Sequence, residues 1–145
     1  YGTDSPASGY VSVFDVMEVS VASQEASTLI VQLGGDINGE APDDHSGHSV
    51  VMSADGTRVA IGAVPDDASA SGYVRVFEWD SCTCTWNHEG YDIDGEAADD
   101  YSGYSVAMSA EGTRVAIGAK NNDENGNESG HVRVYDWNGT AWVSE

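Results

Sequence analysis

The side chains that could do chemistry in this sequence are carboxylates crowded into two short acidic segments. Residues 89–100, EGYDIDGEAADD, follow the same pattern as residues 33–44, LGGDINGEAPDD. Calcium takes roughly six to eight hard oxygen ligands, often carboxylates on a flexible loop. The candidate calcium ligands are Asp92, Asp94, Glu96, Asp99 and Asp100, with the aligned Asp36, Asn38, Glu40, Asp43 and Asp44.

The opposing interpretation is a pair of solvated acidic turns held by structural hydrogen bonds. Each segment contains the pattern D-x-[DN]-G-E, which resembles the start of a calcium loop. Neither segment contains the rest of an EF-hand. A second candidate group of the same kind comprises Asp123, Glu124, Asn125 and Asn127 around Gly126. Both interpretations remain open on sequence alone.

Two other patterns point to covalent modification. Cys82 and Cys84 form Cys-x-Cys at a predicted hairpin turn, where they could close a small ring, bond to another chain or stay reduced. In an oxidising compartment we expect some disulfide. Asn138 and Asn127 each open the Asn-x-Ser/Thr pattern that accepts N-glycans, in predicted surface turns.

The sequence motifs give no support for catalysis. The sequence has no nucleophile elbow, phosphate loop or metal-binding helix motif. The histidines occupy repeated positions where the aligned residue is Tyr or Ser, and a general base would not be interchangeable with Tyr. These histidines are His45, His48, His88 and His131. We therefore expect no enzymatic activity.

The amino-acid composition excludes some classes of binding partner. Twenty-five acidic against five basic residues give a formal charge of −20, which opposes binding to nucleic acid or to anionic membranes. A hydrophobic content of 40% favours a folded chain over a disordered one. No run approaches the roughly 20 apolar residues of a membrane span. The chain begins in mid-repeat without Met, so we expect it to be part of something longer.

The dominant feature is an internal repeat. Residues 45–63, HSGHSVVMSADGTRVAIGA, return as residues 101–119, YSGYSVAMSAEGTRVAIGA, with fifteen of nineteen positions identical at an offset of 56. SGYVSVF at residues 8–14 returns as SGYVRVF at residues 71–77 and as SGHVRVY at residues 129–135. Repetition at this period indicates stacked supersecondary units.

Each repeat reads as four antiparallel strands. TRVAIGA and SGYVRVF alternate with a period of two, and Asp55-Gly56 between alternating runs is a hairpin signal. Four-stranded units repeated in tandem are typical of β-propeller blades; a parallel β-helix fits less well because its coils are shorter. We predict an all-β fold with a partial blade and acidic loop over residues 1–44, and complete blades over residues 45–100 and 101–145.

About 2.5 blades cannot close a propeller, which typically needs roughly four to eight. We therefore expect further blades of a longer parent chain, or other copies of this chain, to complete it; two copies would supply five blades, and an open series would form a fibre. The atypical segment between Phe14 and Gly34 lacks the Trp pair of the other repeats. It is a candidate subunit or domain contact.

Four of the five basic residues occupy repeated positions: Arg58, Arg75, Arg114 and Arg133. In a chain with so many carboxylates, each is expected to pair with Asp or Glu of the same or the adjacent blade. Ligand binding by these arginines is the alternative.

Three motifs that follow one another in each repeat resemble the FG-GAP repeat of integrin alpha-subunit propellers. They are G-x-S-V, V-A-I-G-A and G-x-V-x-V-aromatic. The resemblance implies an extracellular propeller that serves in adhesion or as a structural module, with other extracellular proteins or glycans as partners. The alternative function is a propeller domain that binds calcium or glycan through its acidic loops. The family's calcium loop between the first two strands is absent, since only Ser53-Ala54-Asp55-Gly56-Thr57 stands there.

Overall fold

The computed structural model describes residues 8–19, 27–66 and 69–144, and the regular elements in those ranges are β-strands. This part of the chain has no helix that could cross a membrane. The strands are β1 (Tyr10–Val11), β2 (Phe14–Val19), β3 (Ser27–Gln32), β4 (Ile37–Asn38), β5 (Ser49–Met52), β6 (Arg58–Ala63), β7 (Tyr73–Asp80), β8 (Thr85–His88), β9 (Ile93–Asp94), β10 (Ser102–Met108), β11 (Arg114–Ala119), β12 (His131–Trp137) and β13 (Trp142–Ser144).

The strands form the tandem antiparallel blades that the repeat predicts. Strands β5, β6, β7 and β8 pair in that order to form blade 2, and β10 to β13 form blade 3 in the same way. Strands β1 and β2, with β3, form blade 1, which in the described residues has only the third and fourth strands of a blade. The fold is therefore all-β and of the β-propeller blade type, and the antiparallel sheets exclude a parallel β-helix.

The linkers between blades contain strands that the sequence did not predict. Strand β9 pairs with the start of β7, with Ile93 opposite Val74, and β4 pairs with β1, with Ile37 opposite Val11. Ile37 and Ile93 are buried, although they lie within the acidic segments. Two-residue strands are too short to show periodicity, so only the pairing partner reveals them.

The core lies between blades. We call the side of a blade that faces lower residue numbers its leading face and the opposite side its trailing face. On the trailing face of blade 2, Ala60, Val74 and Val76 are buried against the leading face of blade 3, where Val115 and Ile117 lie. Each blade thus stays dry only where a neighbour covers it, as stacked apolar sheets require.

Glycines set how closely the blades approach. The carbonyl oxygen of Gly103, at the start of blade 3, accepts a hydrogen bond from Ser49 Oγ of blade 2 at 2.7 Å. A Cβ on Gly62 would collide with that same oxygen. Because the obstructing atom belongs to the backbone, no side-chain rotation can relieve the collision.

Each complete blade has a tryptophan pair that contacts the linker between that blade and the preceding one. The rings of Trp79 and Trp86 lie 5.2 Å apart, and Trp86 Nε1 donates to the Leu33 carbonyl at 3.0 Å. In blade 3, Trp142 Nε1 donates to the Glu89 carbonyl at 3.1 Å in the same way. Blade 1 has the cross-strand pair of β2 and β3, Val16 and Ile30, at this position, and both side chains are exposed.

Gly62→Ala is expected to lower the free energy of unfolding by about 1–3 kcal/mol, because the new methyl group overpacks the interface between blades. The repeat supplies a matched control in Gly118→Ala, where a Cβ meets the rotatable Ser105 hydroxyl. We expect that change to lie within about 0.5 kcal/mol of the parent. Urea denaturation measures both, and equal losses would contradict the assignment of Gly62 to a close interface.

Candidate functional site

The first acidic loop ends in a carboxylate that is committed to the structure. Asp44 Oδ2 accepts backbone hydrogen bonds from Glu40 at 3.0 Å and Ala41 at 2.7 Å, and a third from the Tyr73 hydroxyl at 2.8 Å. Burial, and next the hydrogen bond to Asp44, raise the pKa of Tyr73. Asp44 is itself buried and acts as a cap that closes its loop onto blade 2.

The second loop ends in the same way. Asp100 Oδ2 accepts from the Ala97 backbone at 3.1 Å and from Asn122 Nδ2 at 2.9 Å. The residues just before the two caps, Asp43 and Asp99, are exposed and adopt left-handed backbone angles, with φ of 64° and 67°. Acidic residues at these four positions therefore shape the turn, as Asp does where the chain reverses.

Glu40 and Glu96 contact the repeated arginines of the third strands. Arg75 Nη1 lies 3.2 Å from Glu40 Oε1, and Arg75 Nη2 donates to the Asn38 carbonyl at 2.6 Å. In the next repeat, Arg133 Nη1 lies 3.0 Å from Glu96 Oε1. These contacts tie each linker to the blade that follows it.

The arginines of the second strands also contact carboxylates. Arg58 Nη2 and Nε lie 2.7 Å and 3.0 Å from the two oxygens of Glu89, which is 7% exposed. Glu78 adds a contact at 3.3 Å. Arg114 binds Asp136 at 2.6 Å and 2.8 Å on a more exposed surface. The structure thus places all four repeated arginines beside carboxylates.

The remaining candidate ligands have mixed surroundings. Asp36 accepts hydrogen bonds from Ser12 Oγ and Gln32 Nε2, both at 2.7 Å. Asp92 Oδ1 lies 3.3 Å from His88 Nε2. Burial, and next the charge of Glu40, raise the pKa of Asp92, and Asp94 adds a smaller effect of the same sign. Glu40 and Asp94 thus act on Asp92 from both acidic loops, while His88 and Arg75 lower its pKa.

One group of side chains that could bind a metal lies close together in the structure. The sequence analysis did not single out these residues as a group. In the described residues, Glu96, Glu124 and His131 have ligand atoms within 4.8 Å of one another. His131 Nε2 faces Glu96 Oε2 at 3.7 Å, while its Nδ1 faces Glu124 Oε2 at 3.8 Å. Because opposite nitrogens of one ring face the two carboxylates, the group bridges the linker to the β11–β12 loop instead of converging on one point.

In the turn between the first two strands of blade 2, the carboxylate of Asp55 accepts hydrogen bonds from residues of the same turn. Asp55 Oδ1 accepts from Ser53 Oγ at 2.7 Å and from Thr57 N and Oγ1 at 3.0 Å and 2.9 Å. These donors, Ser53 first, hold the pKa of Asp55 at about 2, since they favour the ionised carboxylate. Asp55 therefore stabilises the turn above its ordinary pKa of 3.8, and the contribution is lost as the pH falls toward about 2.

The modification candidates lie on exposed turns. Cys82 and Cys84 are free, exposed thiols in the β7–β8 turn, so their disulfide remains a prediction. Asn138 Oδ1 accepts hydrogen bonds from Thr140 N and Oγ1 at 3.0 Å and 2.9 Å, which orders the β12–β13 turn. Asn127 is exposed in the β11–β12 loop. Its glycosylation and that of Asn138 also remain predictions.

Comparison with known families gives a match over one segment of the chain. Residues 93–135, from β9 to Tyr135 in β12, match the FG-GAP repeat. This segment is an FG-GAP repeat. The match confirms the resemblance on the segment that it covers, and FG-GAP repeats are structural and binding modules. No curated protein matches the chain.

Within the described residues, nothing covers the trailing face of blade 3. Val132 of blade 3 is 66% exposed, whereas Val74, its equivalent in blade 2, is fully buried by blade 3. A groove of about 330 Å³ opens there. Its lining residues are Tyr104, Ser105, Gly118, Ala119, Lys120, Gly130, His131 and Val132. The exposed face of blade 3 is therefore the repeat equivalent of the buried trailing face of blade 2.

The second-strand arginines of blades 2 and 3 should differ in their effect on stability. Arg58→Met keeps the apolar stem but leaves Glu89 buried without its partner, which costs about 3–5 kcal/mol. Arg114→Met removes an exposed pair and should cost less than about 1 kcal/mol. Chemical denaturation of the two variants measures the contrast, and equal losses would show that burial does not control these pairs.

Proposed function

We propose that this chain is a structural module of an extracellular adhesive assembly, in which further blades stack on its open faces. The observation that carries the proposal is the contrast between Val74 and Val132, which occupy the same repeat position and differ only in whether a blade covers them. Leaving an apolar face in water is unfavourable, so a covering blade stabilises it.

The trailing face of blade 3 also retains the polar parts of the interface. Ser105 and Gly118 occupy the positions of Ser49 and Gly62, which receive the Gly103 carbonyl in the interface between blades 2 and 3. The rings of His48 and Tyr104, one on each blade, lie 4.9 Å apart at an interplanar angle of 44°, and Lys120 Nζ lies 4.5 Å from the centroid of the Tyr104 ring.

Two features support an extracellular, adhesive setting. The repeat belongs to a type of structural and binding module, and the chain combines two N-glycan acceptor patterns with a Cys-x-Cys turn. A net charge of −20 makes unspecific contact between copies unfavourable. Adhesion would then depend on faces with matched shape, and its strength would rise with ionic strength as the repulsion is screened.

Val132→Asp is expected to abolish association through blade 3, because it places an unpaired charge in an interface that should be dry. Gly118→Ala should weaken the same association by blocking an incoming carbonyl. Sedimentation equilibrium over a range of protein concentrations measures the particle mass against the 15.2 kDa of one chain.

The matched control for Gly118→Ala is Gly35→Ala, whose Cβ would meet no atom within 4 Å. This control should associate like the parent. A parent that stays at 15.2 kDa throughout, or a Val132→Asp variant that associates normally, would argue against this use of the face.

The second candidate function is calcium binding near Asp92. It is supported by the raised pKa of Asp92, whose like-charged neighbours Glu40 and Asp94 come from both acidic loops. A bound cation would relieve that repulsion and supply a partner for hard oxygen ligands.

Calorimetry with calcium and with EDTA tests this second candidate. Calcium should raise the melting temperature of the parent. Asp92→Asn should raise the melting temperature without calcium, because the ionised form is disfavoured in the fold, and should reduce the shift that calcium causes. Asp66→Asn, an exposed charge removal outside the loops, is the control. Identical melting in calcium and EDTA would leave only the scaffold function.

A further inference from the structure

A small cavity opens between the outer strands of blade 3 and the linker that joins blades 2 and 3. Its volume is about 170 Å³, and we call it the Tyr91 cavity. Drug-sized ligands occupy pockets of roughly 300–1,000 Å³, so this cavity suits a single small chemical group. Aromatic and acidic side chains both line it, among them Tyr91, Asp92, Asp94, Tyr135 and Trp142.

The preceding repeat has an equivalent cavity, which we call the Gly35 cavity. Residues 35–38 of the linker between blades 1 and 2 line it, together with Phe77 and Trp86 of blade 2. Past this cavity the chain continues through the next linker, and none of residues 89–94 lines it. Because the equivalent cavity is open with the following linker in place, the Tyr91 cavity is a feature of the repeat.

Two substitutions between the repeats change the side chains around the cavity. Tyr91 occupies the position of Gly35 and adds an aromatic side chain that is 82% exposed. Asp94 occupies the position of Asn38, adds a negative charge and is exposed. The Tyr91 cavity therefore has one more ring and one more carboxylate than its equivalent.

The arginine of the third strand makes a further difference. Arg75 lines the Gly35 cavity, and its Cζ atom lies 5.4 Å from the centroid of the Phe77 ring. Its equivalent, Arg133, lies over the Tyr135 ring at 5.6 Å but is not among the residues that line the Tyr91 cavity. The chain thus supplies a cation to the first cavity, whereas no cationic side chain lines the second.

Two of the aromatic side chains form fixed walls. Trp142 Nε1 donates a hydrogen bond to the Glu89 carbonyl at 3.1 Å, which holds the indole in place. Tyr135 is 9% exposed and belongs to the core. The Tyr91 ring, in contrast, faces water, so a ligand in the cavity would gain a third aromatic contact.

The carboxylate of Asp92 lacks sufficient positive charge around it. Its side chain is 23% exposed, and burial, followed by the charge of Glu40, raises its pKa. The nearby positive groups, His88 and Arg75, lower the pKa but do not offset these effects. A cation in the Tyr91 cavity would supply the ionised carboxylate with a partner.

We propose that the Tyr91 cavity binds the quaternary ammonium group of a small organic cation. Aromatic faces attract such a group, and neighbouring carboxylates add to the attraction. A calcium ion would need roughly six to eight oxygen ligands, and aromatic rings supply none to it. The net charge of −20 also favours the approach of a cation. The inference goes beyond the proposed function, since it involves no contact with a further blade.

The experiment adds choline chloride to the full chain in the presence of EDTA and follows the tryptophan indole signals by nitrogen–proton NMR. Choline should shift the Trp142 signal to saturation and leave the signal of Trp86, in the Gly35 cavity, unchanged. The uncharged analogue of choline, in which a carbon atom replaces the nitrogen, should not shift the Trp142 signal. Potassium chloride at equal concentration controls for ionic strength.

Two variants install residues that the first repeat already accommodates, so both should fold. Tyr91→Gly and Asp94→Asn should each raise the Kd for choline at least about threefold, because one removes a ring and the other a charge. Asp66→Asn removes an exposed charge outside the cavity and should bind choline like the parent.

Three outcomes would overturn the proposal: no saturable shift of Trp142, an equal shift with the uncharged analogue or with potassium chloride, or an unchanged Kd in Tyr91→Gly. Val132→Asp should bind choline like the parent, so a failure of the proposed association leaves this test readable. EDTA keeps the test separate from calcium binding.

Discussion

The structure depends on how closely two backbones approach between blades 2 and 3. Gly62 has no side chain at the point where the Gly103 carbonyl passes, and Ser49 binds that oxygen. This contact fixes the spacing of the sheets at a distance that Val, Ile and Ala fill. Dispersion contacts fall steeply with separation, so the apolar interface gains its stability only at this spacing.

The tryptophan pairs hold each blade against the blade that precedes it in the sequence. Each Trp pair covers the glycine of the preceding linker, at Gly34 and Gly90, and its indole nitrogen binds the carbonyl one residue earlier. Each blade therefore holds the exit of the blade before it. Stability in such an arrangement comes from nearest-neighbour interfaces, so a terminal blade is held on one side only. At the positions of the Trp pair, blade 1 has Val16 and Ile30, and both are exposed.

The carboxylates of the acidic loops have structural roles and also place several negative charges close together. Asp44 and Asp100 close their turns with hydrogen bonds, and Glu40 and Glu96 contact the arginines of the third strands. Burial, and next the charge of Glu40, raise the pKa of Asp92, so the fold disfavours its ionised form. The same loops thus explain both interpretations of the sequence, because structural caps and a candidate cation site alternate along one segment.

The sequence by itself determined the strands of the repeated blade motifs and their order, but not the two-residue strands of the linkers. The two-residue alternation of TRVAIGA, the Asp55-Gly56 turn and the exact recurrence at residues 101–119 each depend on local backbone geometry, which neighbouring residues dictate. The repeated arginines could also be matched with acids, since charge excess and fixed position are visible in the letters alone. Only the tertiary structure decided which carboxylate meets which arginine, that His131 lies between Glu96 and Glu124, and that linker residues Ile37 and Ile93 join the core. It also decided that Val74 is buried and Val132 exposed, because identical residues at identical repeat positions differ only by the blade that lies against them, and that neighbour is set by packing in space.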